Sequence, residues 1–593
     1  MATVAIIGGG VGGLTTAHEL VERGFTVHLY EERTALGGKA RSQPVVGTGT
    51  AGRADLPGEH GFRFYPRFYQ HVIDSMKRIP SPAGGYVIDH LKPTTESAIA
   101  LVDVGTWYRF YRRRVTRPFE IIEALELFFQ ELDFDSEDIS LFTAKILEFL
   151  TSSDERRLAE YDQMSWWNFL EGDLFSENFQ RQLRAVPRTM VAMDPKRGSA
   201  RTVGTISMQL ILDFSDNGVT SDRTMGGPTT EMWIDPWVAH LTSLGVNFHG
   251  GVRANAITTD ATKVTGIQLS DGTTATADYY VLSVPIDIAI GLFTPAMGAL
   301  DPALEKLRTS NPDDLVSWMV GIQYFLFEDV PLVRGHTFYP DSPWALTTIS
   351  QPQFWRDLGI FRTRYGGGDV GGLISVDVSD WNTPGIFVGK AAKDCTPAEV
   401  AKEVWEQLKA GLNGTGPGEE TLTDAMLHSW HLDDDLDYSG GSPPVNKSRL
   451  LVHPPGAWSL RPEAGSKIPN LVLAADYVRT NTDLASMEGA SEAARRATNE
   501  ILTRSGSAAP RAGVWPLVEP SEFRLAKKLD AWLLGNGYRH AFEILGIRNA
   551  ARAANWLRRL EKIAGLTKLD TWLDNNVRIS RIMRKILTFL GLG

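Results

Sequence analysis

The stretch Val4-Ala5-Ile6-Ile7-Gly8-Gly9-Gly10-Val11-Gly12-Gly13 decides the fold of this chain. Four apolar residues form a short buried strand, and the glycines follow at once. Residues 14–23 then carry a helical pattern that Gly24 closes, and a second strand covers residues 25–30. In Gly8-x-Gly10-x-x-Gly13 the first glycine permits a tight turn and the second lets the backbone approach a pyrophosphate. The third brings helix and strand close together, with the helix N-terminus facing the phosphates. Glu31 stands 23 residues after Gly8, where a carboxylate accepts the hydroxyls of an adenosine ribose. Gly8, Gly10, Gly12, Gly13 and Glu31 thus predict dinucleotide binding. A glycine-rich turn is the plain alternative, and the motif alone does not separate NAD from FAD.

The chain has 593 residues, more than one hydrophobic core usually serves, so several domains are expected. A net charge of -11 excludes a general nucleic-acid binder, because phosphate contacts need a basic surface. The single cysteine, Cys395, cannot form an internal disulfide or a cysteine-rich metal site, so redox chemistry must come from a cofactor. Met1-Ala2-Thr3 runs straight into the first strand without a secretory pattern, and no apolar run approaches the roughly 18 residues of a span. A cytoplasmic chain, peripheral to the inner face of a membrane at most, is the expectation.

Two further stretches bear on the cofactor. Leu36-Gly37-Gly38-Lys39-Ala40-Arg41-Ser42 follows the second strand. Far downstream, Leu473-Ala474-Ala475-Asp476-Tyr477 is followed by Ser486-Met487-Glu488-Gly489-Ala490. Together these resemble the flavin amine oxidase and phytoene desaturase superfamily, above all plant- and cyanobacterial-type phytoene desaturases and hydroxysqualene dehydroxylase-like enzymes. The segments at 226–252 and Gly58-Glu59-His60-Gly61-Phe62-Arg63 resemble further parts of the same pattern. The resemblance implies FAD, with Gly37, Gly38, Lys39 and Arg41 passing the pyrophosphate and flavin, and Val252 meeting adenine through its backbone. It implies that Asp476 binds the ribityl or pyrophosphate portion. Ser486, Met487, Glu488, Gly489 and Ala490 then open a helix toward the flavin edge, where a helix N-terminus stabilises the charge of reduction. Ala475 departs from the family's usual glycine, so the backbone there has to accept a Cβ.

The implied fold is α/β: a Rossmann-type FAD-binding domain interleaved with a mixed-sheet substrate domain and a helical insertion, plus a C-terminal helical extension. The FAD-binding domain is expected at 1–100, 223–295 and 426–504, the helical insertion at 101–222, and the substrate domain at 296–425. A Ser/Ala/Gly/Pro-rich linker follows at 505–520, then a basic amphipathic extension at 521–593. The extension carries 14 Lys/Arg against 6 Asp/Glu, a net of +8, which leaves -19 on the rest of a chain whose total is -11. From Ile579 its apolar residues form a helical stripe with Arg578, Arg581, Arg584 and Lys585 on other faces. That pattern suits an anionic membrane surface and equally suits docking on the acidic body.

Hydride removal needs a donor carbon over the flavin and little side-chain help. His60, Glu59 and Arg63 are the polar candidates beside it, an Arg63–Glu59 ion pair and a packed His60 being the structural alternative. No metal is expected. The run Asp433-Asp434-Asp435-Leu436-Asp437 reads as a solvated loop because it lacks calcium-loop spacing, and His428 and His431, three apart, lack a third ligand. Trp344, Phe354, Trp355, Trp381 and Trp458 are candidates to line an apolar substrate cavity, or plain core. The reading is an FAD-dependent dehydrogenase or desaturase of a hydrophobic, isoprenoid or carotenoid-like small molecule. A flavin amine oxidase, a non-redox flavin isomerase and a flavin-free prenyl-protein-binding scaffold are its rivals. Nothing in the sequence selects an electron acceptor.

Overall fold

In the computed structural model the residues described are 1–111, 134–191, 193–213, 222–414 and 420–545. The opening strand β1 (Thr3–Ile7), helix α1 (Val11–Val21) and strand β2 (Thr26–Glu31) form the unit read from the glycines. β1 is buried on both faces and sits centrally in a five-stranded parallel sheet. Its order is Asn247–Gly250, β2, β1, Tyr279–Leu282, Leu471–Leu473. Continuous apolar strands are what a parallel sheet covered on both faces requires. α1 packs on helix Met487–Arg504, so the two ends of the cofactor motif are neighbours in space.

The second unit is a seven-stranded mixed sheet. Its order is Leu427–Leu432, Val320–Leu326, Gly372–Val378, Leu346–Ser350, Gly335–Phe338, Glu96–Leu101, Thr106–Tyr111. Side chains alternate between its faces. Tyr324, Ile374, Val376 and Leu346 pack with Val400, Val404 and Leu408 of helix Pro397–Leu412 on one face. The opposite face turns toward the dinucleotide domain. This sheet moves two expected boundaries: Glu96–Leu101 lies inside the span assigned to the FAD-binding domain, and Leu427–Leu432 inside its C-terminal part. Thr106–Tyr111 likewise places a strand at the start of the expected helical insertion.

From Ser136–Thr151 onward the insertion is helical, with Ser153 and Ser165 capping two of its helices through their hydroxyls. Its core gathers Phe149, Tyr161, Trp166, Phe169 and Phe179, and Phe523 from beyond the expected linker joins it. The linker itself is strapped to the first domain: Arg23 reaches the Pro510 carbonyl, and the Trp515 N–H donates to His71. Helix Arg524–Gly535 then docks on the insertion. Asp530 accepts from Arg156 Nε at 2.8 Å, with side chains only 2% and 0% exposed. The amphipathic stripe from Ile579 lies outside the described residues.

Removing one partner of a buried pair strands the other charge. Asp530→Ala is therefore expected to lower stability by about 3 kcal/mol, read as a lower midpoint in thermal unfolding. Asp154→Ala, on an 86% exposed side chain, is expected to leave it unchanged.

Candidate active site

A cavity of about 420 Å³ lies between the two sheets. It begins at Glu31 and Val252, passes Gly8, Gly10, Gly12, Gly37, Gly38 and Lys39, and runs by Asp476, Ser486, Met487 and Ala490. It ends among His60, Arg63 and the residues of the mixed sheet.

Each glycine of the loop is there for a different reason. Gly8 adopts φ +103°, and a Cβ on it would lie 2.2 Å from the Ser283 carbonyl oxygen. A Cβ on Gly12 would lie 2.2 Å from the Ala474 oxygen, and one on Gly13 1.9 Å from the Gly8 oxygen. Those are packing constraints. At Gly10 the nearest atom to such a Cβ is 3.9 Å away, so the protein itself leaves room for a methyl there. Gly10 caps α1 without a side-chain hydrogen bond, and the first turn holds no acidic residue. The N-terminus of α1 is thus left bare, as an anion requires. Glu31 accepts from the Gly9 N–H at 2.7 Å and the Arg33 N–H at 3.0 Å, which fixes its carboxylate at the cavity edge. The Val252 N–H is spent on the Glu31 carbonyl, at 2.8 Å.

Several expected cofactor residues face elsewhere. Gly13 packs behind the loop. Arg41 turns from the cavity to Asp435, at 2.8 Å. Glu488 points backwards and accepts from the Gln70, His71 and Val72 backbone N–H groups and from His71 Nδ1, capping helix His71–Met76. The Gly489 N–H is taken by Ser486 Oγ at 3.1 Å. Ala475 lines the cavity and, among the described residues, is not one with positive φ, so its Cβ costs nothing there. Lys39 donates to the Arg449 carbonyl, and burial pushes its ammonium below the usual lysine range. Burial raises the Asp476 carboxyl, against the pull of Lys39 and Arg461.

Of the three polar candidates, His60 and Arg63 line the cavity and Glu59 does not. Glu59 is 1% exposed and accepts from Ser42 Oγ and the Thr229 N–H, both at 2.8 Å, tying two loops together. Burial raises its carboxyl. Arg63 donates to the Lys39 carbonyl. His60 bonds through Nδ1 to Asp433, whose other oxygen accepts from Gln43 at 2.6 Å. The acidic run is solvated only in part: Asp434 is exposed as expected, whereas Asp433, 2% exposed, and Asp435, 5% exposed, are buried anchors, and Asp435 holds Arg33, Arg41 and Ser448. His428 and His431 lie on a strand, where a spacing of three puts them on opposite faces and cannot make a ligand pair.

Most of the expected aromatic lining is core. Trp344, Trp355 and Trp381 are buried with their indole N–H groups bonded to the carbonyls of Thr383, Met225 and Val378. Phe354 packs beside Trp355, and Trp458 lies among Arg201, Arg461 and Arg479. The apolar wall is built instead from Phe62, Phe64, Phe68, Ile206, Leu210, Leu292, Met319 and Phe338. The sequence reading also missed a transverse row in the mixed sheet: Phe338 pairs with Thr347, Thr347 with Asp377, and Asp377 with Gly321. Its first three members line the cavity. The carboxylate inside the fully buried strand Gly372–Val378 was the available signal, since a buried carboxylate in such a run demands a reason.

This arrangement can be set beside known proteins. The family of flavin containing amine oxidoreductases matches residues 11–502. The chain is 26% identical over 302 residues to a zeta-carotene desaturase of Synechocystis sp., covering 48% of this chain and 57% of that protein. It is 23% identical over 544 residues to a 15-cis-phytoene desaturase of Synechococcus elongatus, covering 87% and 98%. A cyclohexylamine oxidase of Brevibacterium oxydans superposes with a TM-score of 0.54 at 14% identity, over 85% of this chain and 99% of that one. The chain belongs to the flavin containing amine oxidoreductase family. It is an FAD-dependent oxidoreductase with a Rossmann-type FAD domain and a substrate domain.

The room at Gly10 fits that cofactor, since the chain's own packing leaves a methyl's space free at the bare N-terminus of α1. Gly10→Ala is expected to keep the unfolding midpoint of the apoprotein and to weaken FAD binding at least about tenfold, or 1.4 kcal/mol. Gly13→Ala should instead lower the yield of folded protein. Flavin absorbance per protein and thermal unfolding read the two effects separately.

Proposed function

We propose that the chain is a dehydrogenase or desaturase of a hydrophobic, isoprenoid or carotenoid-like substrate. The observation that carries this is the apolar wall at the mixed-sheet end, where Phe62, Phe64, Phe338, Ile206, Leu210 and Met319 surround the cavity. Such a wall gains about 25 cal/mol for each Å² of hydrocarbon it removes from water and offers a long polyene little to hydrogen-bond. The names of the desaturase relatives support the same substrate class.

FAD, when bound, supplies a two-electron acceptor for the hydride. In this reading the bare N-terminus of α1 holds its pyrophosphate, Glu31 its adenosine ribose, and Lys39 and Asp476 the stretch between. Helix Met487–Arg504 directs its positive end at the flavin. His60 and Arg63 order the wall by their bonds to Asp433 and the Lys39 carbonyl. A cytoplasmic position with the basic tail against the inner face of a membrane belongs to the same proposal, supported by the tail's charge and apolar spacing and by the low solubility of such substrates.

Amine oxidation is the second reading, favoured by the family and by a carboxylate, Asp377, in the cavity wall. Anaerobic mixing separates the two. A linear polyene is expected to bleach the flavin of the holoenzyme, and primary amines to leave it oxidised; bleaching by amines alone overturns the proposal. Return of the flavin to its oxidised state without an acceptor marks an isomerase, and a colourless protein marks a scaffold. In liposome flotation, anionic vesicles are expected to carry the full chain and to release a chain ending at residue 545; equal flotation removes the tail from the proposal.

A further inference from the structure

Desaturation breaks C–H bonds on two adjacent carbons. One hydrogen leaves as hydride with both electrons of its bond, for which the flavin is the oxidant. The other leaves as a proton, and the electron pair of its bond becomes the new C=C bond. The substrate loses two electrons, the flavin gains them, and a base must take the proton. A hydrocarbon supplies no base of its own.

We propose that Asp377 is the proton acceptor of this site, resting on the desaturation reading above. Four carboxyl residues line the cavity: Glu31, Glu32, Asp377 and Asp476. Glu31 and Glu32 follow the glycine loop at its far end and Asp476 lies beside Lys39, so Asp377 alone stands at the apolar end. It is 7% exposed, and its Oδ1 is buried without a hydrogen-bond partner. A carboxylate oxygen in that state carries a desolvation penalty that a structural role would not leave unpaid. The backbone N–H of Phe62 faces the carboxylate and favours its charged form.

The position is enforced from both sides. In the row Phe338–Thr347–Asp377–Gly321 the last residue has no side chain, and a Cβ there would lie 2.6 Å from the His60 carbonyl oxygen. The loop carrying His60 therefore lies flat against the sheet, and its Gly61 faces Asp377, where a Cβ would lie 2.6 Å from Oδ1. Two consecutive close approaches, at Gly321 and Gly61, hold the carboxylate at the cavity wall. The charged groups around it are Arg63, on the same loop, and Asp433, which carries His60. Burial pushes the Asp377 carboxyl up to about 7, with Arg63 pulling it down and Asp433 pushing it up. Two histidines share the wall: His60 is bonded through Nδ1 to Asp433, and His336 lies beside Asp222 between Phe62 and Phe64.

A proton acceptor must begin as the carboxylate. A pKa raised to about 7 leaves it protonated below that pH, so the rate of flavin bleaching by a polyene should rise with pH through about 7. The test uses full-length holoenzyme and two readouts. Infrared difference titration should show a protonated carboxyl band that disappears as pH rises through neutrality in the native protein and that the native-minus-Asp377→Asn difference retains, while the band of Glu148, also raised to about 7 by burial, is common to both and cancels. Anaerobic bleaching should fall about 100-fold or more in Asp377→Asn, with the rise near neutrality gone and flavin content retained. Gly61→Ala keeps the carboxyl but displaces it; it should slow bleaching while preserving the infrared band, and it stands in if Asp377→Asn does not fold. Native pH dependence and rate in Asp377→Asn, or no such band in the native protein, overturns the proposal alone. A native holoenzyme that titrates as described yet is bleached by no polyene overturns the desaturation reading, and the proposal with it.

Discussion

Everything in this molecule depends on how closely the chain passes itself at the glycine loop. Gly8 turns at φ +103° against the Ser283 carbonyl, Gly13 lies against the Gly8 carbonyl, and Gly12 against that of Ala474. These contacts pull strands ending near residues 7, 282 and 473 to one edge. They also bring the N-termini of α1 and helix Met487–Arg504 to the same cavity. A single methyl at three of these positions would open the junction. Gly10 is the exception: a Cβ there would lie 3.9 Å from its nearest neighbour, so packing does not demand a glycine and the N-terminus of α1 stays open to the cavity.

The dinucleotide half was legible because its requirements are local. A strand, a glycine turn, a helix and an acidic residue 23 positions later are a physical mechanism written in consecutive residues. The far half was legible only through resemblance, since nothing in Ala475-Asp476 or Ser486-Met487 states on its own that it faces Gly10. Even there the side chains divide in ways the string does not show. Met487 and Ala490 face the cavity, while Glu488 caps a helix behind it and Arg41 turns to Asp435.

The substrate half was hardly legible, for a definite reason. Its wall is a row across strands, and the row Phe338–Thr347–Asp377–Gly321 depends on register, which pairs residues tens of positions apart. The conspicuous Trp344, Trp355 and Trp381 are core, and Trp458 is half-buried among arginines. The acidic run looked solvated because consecutive aspartates usually are. What buried Asp433 and Asp435 was a set of partners, Gln43, His60, Arg33 and Arg41, nearly four hundred residues away.

The central sheet also constrains how the protein comes into being. β1 emerges first, yet its neighbour on one side is Tyr279–Leu282, and the strand beyond that is Leu471–Leu473. At typical ribosomal rates of about 5–20 residues per second, tens of seconds separate the first strand from the last. During that interval the nascent chain carries an unfinished parallel edge and half a cradle. The cradle is thus completed only by a nearly full-length polypeptide. Until residue 474 has been made, Gly12 lacks the carbonyl against which it packs.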